Sequence, residues 1–340
     1  MSMLKMMTAG KRGLLASVIV FAAQAAAHAQ ARGPLDALTS PRDSAAYSFE
    51  AVPGGPGGPA ITDQSLQGTL LLTRERKQER QWSAGARAGR FETERPVALP
   101  SGRGEIPHLL WTLEAGLGYH RRLGERRAWG GRVSVGSASD RPFDSIQEAE
   151  FRAAAFYTAP SKESNAWLFF LNYSNNSTFL NGVPFPGLAY SWRRPKEGWQ
   201  VTAGFPFIAA SYQPDADWSL RASLFGAVNF DVEAERRAWR DLKLYAAFQR
   251  RPRQWLRADR RESRDRLVYD SMEARLGLRC PVVEIADVDL SAGRSFNRRF
   301  FEARDASRSP SERTAFGPAW IFKAALTARI GGTGAHAGAR

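Results

Sequence analysis

Side chains able to perform covalent chemistry are scarce in this sequence. Among 340 residues there is one cysteine, Cys280, and there are four histidines, of which only His108, His120 and His336 lie beyond residue 30. A single cysteine excludes an intrachain disulfide and a cysteine-based zinc centre, and three histidines are too few for a histidine-rich metal site. A hydroxyl nucleophile needs a base within hydrogen-bond reach. His108 and His120 sit at opposite ends of one alternating segment, on the parity opposite to Ser137 and Ser139, and His336 lies in a Gly-rich tail. No Gly-x-Ser-x-Gly elbow occurs, and the Gly/Pro run at 53–59 lacks the Lys-Ser/Thr ending of a phosphate loop. The sequence therefore nominates no catalytic residue, no metal and no cofactor, and an enzyme is not the expectation.

The chemistry the sequence does carry is electrostatic. Arg87, Glu114, Arg132, Glu150, Arg152, Arg221, Lys243, Glu273, Arg275 and Lys323 share the polar parity of alternating segments, seven basic against three acidic, a surplus of four positive charges. A second group is compact. Residues 250–266 hold eight arginines, among them Arg251, Arg253, Arg257, Arg260, Arg261 and Arg264, against Asp259, Glu262 and Asp265. Arginine offers two parallel donors to phosphate; the alternative for such a loop is a solvated, internally paired surface. Over the whole chain 48 Lys and Arg face 34 Asp and Glu, a net charge of +14, while 43% hydrophobic residues exclude a wholly disordered protein.

The elements that position these charges are strands. In 109–119 Leu109, Trp111, Leu113, Ala115, Leu117 and Tyr119 alternate with polar or small residues, and 129–139, 218–228 and 320–330 repeat the pattern. Successive strand side chains point to opposite faces, so each segment has one apolar and one polar face. Many segments run to ten residues or more, longer than soluble strands and suited to crossing a bilayer at a tilt. Trp82, Trp111, Trp129, Trp167, Trp199, Trp218, Trp239 and Trp320 stand near segment ends, where a membrane–water interface favours indole. The spacing predicts strands over 45–52, 66–74, 81–91, 109–120, 129–139, 148–158, 166–174, 186–193, 199–206, 218–230, 239–250, 268–279, 287–296 and 317–330. Links alternate between long (92–108, 251–267, 297–316) and short (159–165, 194–198, 231–238, 280–286), as in barrels with short periplasmic turns and long outer loops. The expectation is an all-β, antiparallel, up-and-down transmembrane barrel of about fourteen strands, or twelve if the first two are leader.

Lys5, Lys11 and Arg12, the apolar run 14–26 and Ala27-His28-Ala29 have the arrangement of a secretory signal peptide over 1–29. After it come a leader over 30–65 with a Pro/Gly-rich linker and a candidate first strand, the barrel over 66–330, and a Gly-rich tail over 331–340. Asn181-Gly182-Val183-Pro184-Phe185-Pro186-Gly187-Leu188-Ala189-Tyr190-Ser191-Trp192, followed by Gly204-Phe205-Pro206 and Trp218, resembles an uncharacterised family of predicted bacterial outer-membrane barrels, a domain of unknown function, over roughly 165–330. That resemblance implies the fold and the outer membrane and lends no activity. Such barrels often finish on an aromatic residue; here Ile330 ends the alternation.

Three functional readings follow. The first is a narrow channel for small solutes with a weak anion preference from the inner-wall surplus. The second is a closed-lumen structural or surface-interaction barrel touching lipopolysaccharide through the Arg-rich outer loop, and the third is a membrane-embedded lipid-modifying enzyme. The expected partners are outer-membrane lipids, lipopolysaccharide and the barrel-assembly machinery, with no nucleic acid.

Overall fold

The computed structural model describes residues 43–329 except 56–57, 74–79, 100–103, 125–126, 163–164, 227, 261, 305 and 307–311. The segment expected to be a signal peptide, the first part of the expected leader and the Gly-rich tail lie outside the described residues. Among those described, sixteen long strands pair antiparallel in chain order. They are β1 (Ser44–Val52), β2 (Ile61–Leu71), β3 (Arg80–Thr93), β4 (Leu109–Arg122), β5 (Ala128–Ser139), β6 (Ala149–Pro160), β7 (Ala166–Ser174) and β8 (Phe185–Arg194). The remainder are β9 (Trp199–Phe205), β10 (Phe207–Tyr212), β11 (Trp218–Phe225), β12 (Asn229–Trp239), β13 (Leu242–Arg250), β14 (Arg266–Val283), β15 (Ala286–Ala303) and β16 (Ala319–Arg329). The first strand pairs with the last, Ser44 against Arg329 through Ala51 against Phe322, so the sheet closes and leaves no unpaired edge.

Sixteen replaces the expected fourteen, and the two additions have local causes. Residues 207–212 stand behind Pro206 and before Gln213-Pro214, so a six-residue strand reads as loop; one residue, after a cis Phe205–Pro206 bond, joins it to β9. Residues 231–238, expected as a link, belong to β12. Their acidic parity hides the strand because Glu233 and Glu235 face the lumen, where cations meet them. The barrel also begins at Ser44, inside the segment assigned to the leader.

Strand length varies around the wall. β14 and β15 have 18 residues and β10 has 6, about 55 Å against about 17 Å of strand. Above the tall pair, Asp270 holds Arg250 at 2.9 Å and Arg299 at 2.6 Å. The alternation of long and short links fails on the low side, where β9–β10 and β11–β12 are joined tightly at the long-loop end, and at the first two links, 53–60 and 72–79, which are equal in length.

The outward parity is the apolar one. Leu117, Val133, Val135, Phe169, Leu171, Leu224 and Leu276 are exposed there, a surface stable only under hydrocarbon. At the short-turn end a belt runs from β3 to β12: Trp82 lies 4.8 Å from Tyr119, Tyr119 5.2 Å from Trp129, Trp167 4.7 Å from Tyr190, and Trp199 4.2 Å from Tyr212. Trp218 and Trp239 complete it, whereas Trp111 and Trp320 mark the opposite end. Gly187, in the family-like motif, lets the Phe170 ring lie flat on the backbone; a Cβ there would come within 1.9 Å of it.

Replacing Leu117 or Leu224 with arginine puts a charge on the hydrocarbon face at about 2–4 kcal/mol near the midplane. Both variants should lose folding into lipid vesicles, read as loss of the heat-modifiable band on gels. Wild-type folding yield in both would disprove the assigned facing.

Candidate functional site in the barrel lumen

The inward parity carries three groups of ion pairs. Around β4–β6, Glu114 lies 3.9 Å from Arg132 and 3.6 Å from Arg152, and Arg152 also bonds Glu150 directly. Across the closing seam, Asp63 (β2) lies 3.0 Å from Arg253, which lies 2.7 Å from Glu50 (β1). Lys323 (β16) is 2.7 Å from Glu50 and 2.8 Å from Glu273 (β14), and Arg275 approaches Glu273 at 3.4 Å. Around β11–β15, Arg221 bonds Glu233, and Lys243 donates to Glu235 at 2.9 Å. There Arg279 joins Glu235 and holds Asp289 at 2.8 Å.

Nine of the ten residues expected on the inner wall enter these networks; Arg87 lines the same lumen with no ion pair or hydrogen bond among the described residues. Glu50, Asp63, Glu233, Glu235 and Asp289, with Arg253 and Arg279, also face inward, so in these three networks together with Arg87 the seven expected cations and three expected carboxylates become nine and eight. The carboxylates were missed where strands were assigned weakly or as links. Their depth differs from that of the cations: Arg132 and Arg152 side chains are 41% exposed and Lys243 40%, against 10% for Glu114 and 1% for Glu150. Water in the lumen therefore meets mostly guanidinium and ammonium groups.

The long-loop end of the lumen is apolar and filled. Phe91, Leu110, Tyr269, Phe300 and Ile321 turn inward from the strands and pack with Val97, Leu99 and Ile106 from the 94–108 loop and with Trp255. Trp255 belongs to Arg253–Trp255, a short strand paired with the upper part of β14. The chain then crosses the mouth: Leu256 N–H donates to the Ala138 carbonyl on β5 at 2.6 Å, and Ala258 N–H to Asp140 Oδ1 at 2.9 Å.

This strap overturns the outward placement expected for much of the Arg-rich loop. Arg253 enters the lumen and lies 5.6 Å over the Phe91 ring. Arg257, 2% exposed, pairs with Asp259 and Glu302, and Arg260 reaches Glu148 and the Gln147 carbonyl. The physical reason is that Glu50 and Glu148 are buried, and Asp63 and Glu302 partly buried, carboxylates needing cations. Arg251, paired with Asp231 at 2.7 Å, and Arg264 stay exposed, while Arg261 lies outside the described residues.

His120 stacks on Phe156 at 6.0 Å, and its Nδ1 has no hydrogen-bond partner. Ser137 Oγ donates to the Glu148 carbonyl and Ser139 Oγ to Asp140, both under the 140–148 loop. On that loop, burial opposes the charge of Glu148, but the Ser145 hydroxyl and N–H, at 2.6 and 2.7 Å, and Arg260 outweigh it and hold the carboxyl below its usual range.

Fold and lumen together define a closed sixteen-stranded barrel with an ion-paired interior. Neither a protein-family model nor a curated relative matches the chain. Among solved structures it is similar to LpxR from Salmonella typhimurium, with a TM-score of 0.32 and 10% identity over 84% of this chain and 100% of that one. It is also similar to the P. putida toluene transporter TodX (0.39, 8%, 87% and 94%) and to the translocator domain of autotransporter NalP from Neisseria meningitidis (0.29, 10%, 92% and 99%).

Two outcomes follow from these contacts. Glu235→Gln leaves Lys243 and Arg279 short of a carboxylate and should lower the unfolding free energy in vesicles by about 1.5–3 kcal/mol in a urea titration, while Arg251→Gln, at an exposed pair, should change it by less than about 1 kcal/mol. The depressed Glu148 contributes stability that is present above the unfolded carboxyl value and is lost as pH falls through the folded one. Hydrogen exchange over 140–148 should therefore accelerate, beyond the intrinsic pH effect, below about pH 4, and Glu148→Gln should show the faster exchange already at pH 7. Corrected rates that do not change from pH 7 to 3 would count against that anchor.

Proposed function

We propose that this protein is a bacterial outer-membrane β-barrel that its own strap, residues 251–258, holds shut at rest, and that it acts through this closed lumen rather than as an open pore. The outer-membrane assignment is supported by the closed antiparallel sheet, the outward apolar band and the aromatic belt, features of barrels that cross lipid. The single observation that carries the closed reading is Arg253. It sits inside the lumen between Glu50 and Asp63, beneath a packed mouth in which Trp255 is 3% and Phe300 0% exposed. An apolar constriction of this kind excludes hydrated ions.

The narrow-channel reading is retained for the opened state, because the accessible inner-wall tips are mostly cationic. A non-enzymatic role stays the expectation; His120 packs on Phe156, with its Nδ1 unpartnered. Contact with lipopolysaccharide is left to exposed Arg251 and Arg264 and no longer to the whole arginine run.

Planar-bilayer recording of the refolded protein tests this. Wild type should be electrically silent, and replacing 251–258 by a Gly-Ser linker of equal length should open steps that favour chloride over potassium. Stable wild-type conductance unaffected by that replacement would overturn the closed reading.

A further inference from the structure

Directly beneath the strap lies a cavity of about 360 Å³, within the ~300–1,000 Å³ span of small-molecule sites. Its wall brings Asp63, Arg87, Arg152 and Asn172 from four strands against Arg253 and Gln254 of the strap. Three of these six groups are occupied. Arg253 is held by Glu50 and Asp63, and Arg152 by Glu150 and Glu114.

Two are not. Arg87 makes no hydrogen bond or ion pair with a described residue, although its inward side chain is accessible to the lumen. Gln254 is 9% exposed; its Nε2 donates to Asn176 Oδ1 at 3.0 Å, while its Oε1 has no partner. Exchanging the two ends of that amide leaves one polar end unmet all the same. A buried acceptor without a donor is a standing cost, and Arg87, although Glu114 stands opposite it and Asp63 and Glu150 act on its charge, keeps guanidinium donors that no described acceptor meets. One occupant relieves both: an anionic group on Arg87, shared with the free donors of Arg152, and a hydroxyl or amine that donates to Gln254. Asn172, also on the wall, offers a further polar contact.

We propose that this cavity binds a small organic anion that also carries hydrogen-bond donors, a hydroxy acid of about monosaccharide size, bridging the barrel wall to the strap. The inference rests on the strap lying inside the lumen, as in the closed reading, and adds the ligand class that the closed lumen takes. A bare inorganic anion would satisfy Arg87 and leave Gln254 unmet, and a neutral sugar would do the reverse.

Titration calorimetry on the refolded protein in detergent micelles, with glucuronate, glucose and sulfate as probes, tests it. Glucuronate should bind at least about tenfold more tightly than either of the others, the weight of one charged hydrogen bond. Arg87→Gln and, separately, Gln254→Leu should each weaken glucuronate by about tenfold or more, while Arg251→Gln leaves it unchanged. Because Arg87 makes no direct hydrogen bond or ion pair with a described residue, Arg87→Gln should fold with wild-type heat modifiability; a site residue kept only for structure would destabilise the barrel instead. No glucuronate binding, equal binding of all three probes, or binding indifferent to both variants overturns the site. Bilayer recordings separate this from the closed reading: a silent barrel that binds nothing loses only the site, whereas a constitutively conducting one loses the strap.

Discussion

The Glu50 carboxylate accepts from Arg253 and Lys323, each at 2.7 Å, at the place where the first strand meets the last. Much of the interior depends on this node. In the register of the closing pair Glu50 stands directly opposite Lys323, so the ion pair and the backbone ladder select the same alignment. Arg253 then ties the seam to the strap, and Asp63 ties the strap to β2. A charge confined in a barrel interior is costly alone and tolerable when paired and hydrogen-bonded. Sliding β1 by one residue would put Glu50 against hydrocarbon and leave two cations without it.

A sixteen-stranded barrel encloses more space than its own strands' side chains fill, and the chain fills it unequally. On the tall side, β14 and β15 rise past the apolar band and give the strap an edge to pair with. On the low side, the inward rings of Phe156, Phe170 and Phe207 take up room, with Phe170 and Phe207 centred 5.8 Å apart. Phe179, from the 175–184 loop, closes over Phe185, Phe205 and Phe225 at 6.1–6.4 Å. Tight joints at Pro206 and Gly226 suit that side because the neighbouring 175–184 loop already covers it. Gly226 has a φ of 60°, and a Cβ there would lie 2.6 Å from the Phe179 ring.

Particular residues show where sequence reasoning reached and where it stopped. The facing of Glu114 or Arg221 follows from parity alone, because the two faces of a strand are set by its own backbone within a few residues. Arg253 was out of reach. Its partner Glu50 lies 203 positions away, and a run of arginines beyond a strand reads as a solvated outer loop when no carboxylate is in view. Arg87 shows the converse. Its parity is legible, but that it makes no direct ion pair or hydrogen bond among the described residues is a property of four neighbouring strands and a strap, visible only when all are in place.

The sequence by itself determined that the chain is a series of two-faced strands, which side chains lie on which face, and that indole rings collect at strand ends. Each of these depends on short-range geometry and on the partition of side chains between hydrocarbon and water. Only the assembled barrel sets the number of strands, which carboxylates answer which cations in the lumen, and whether the mouth is open. Charge balance and closure depend on which strands become neighbours around the circumference and on where a loop finds its ion pair. Those are long-range pairings, and no local pattern along the chain encodes them.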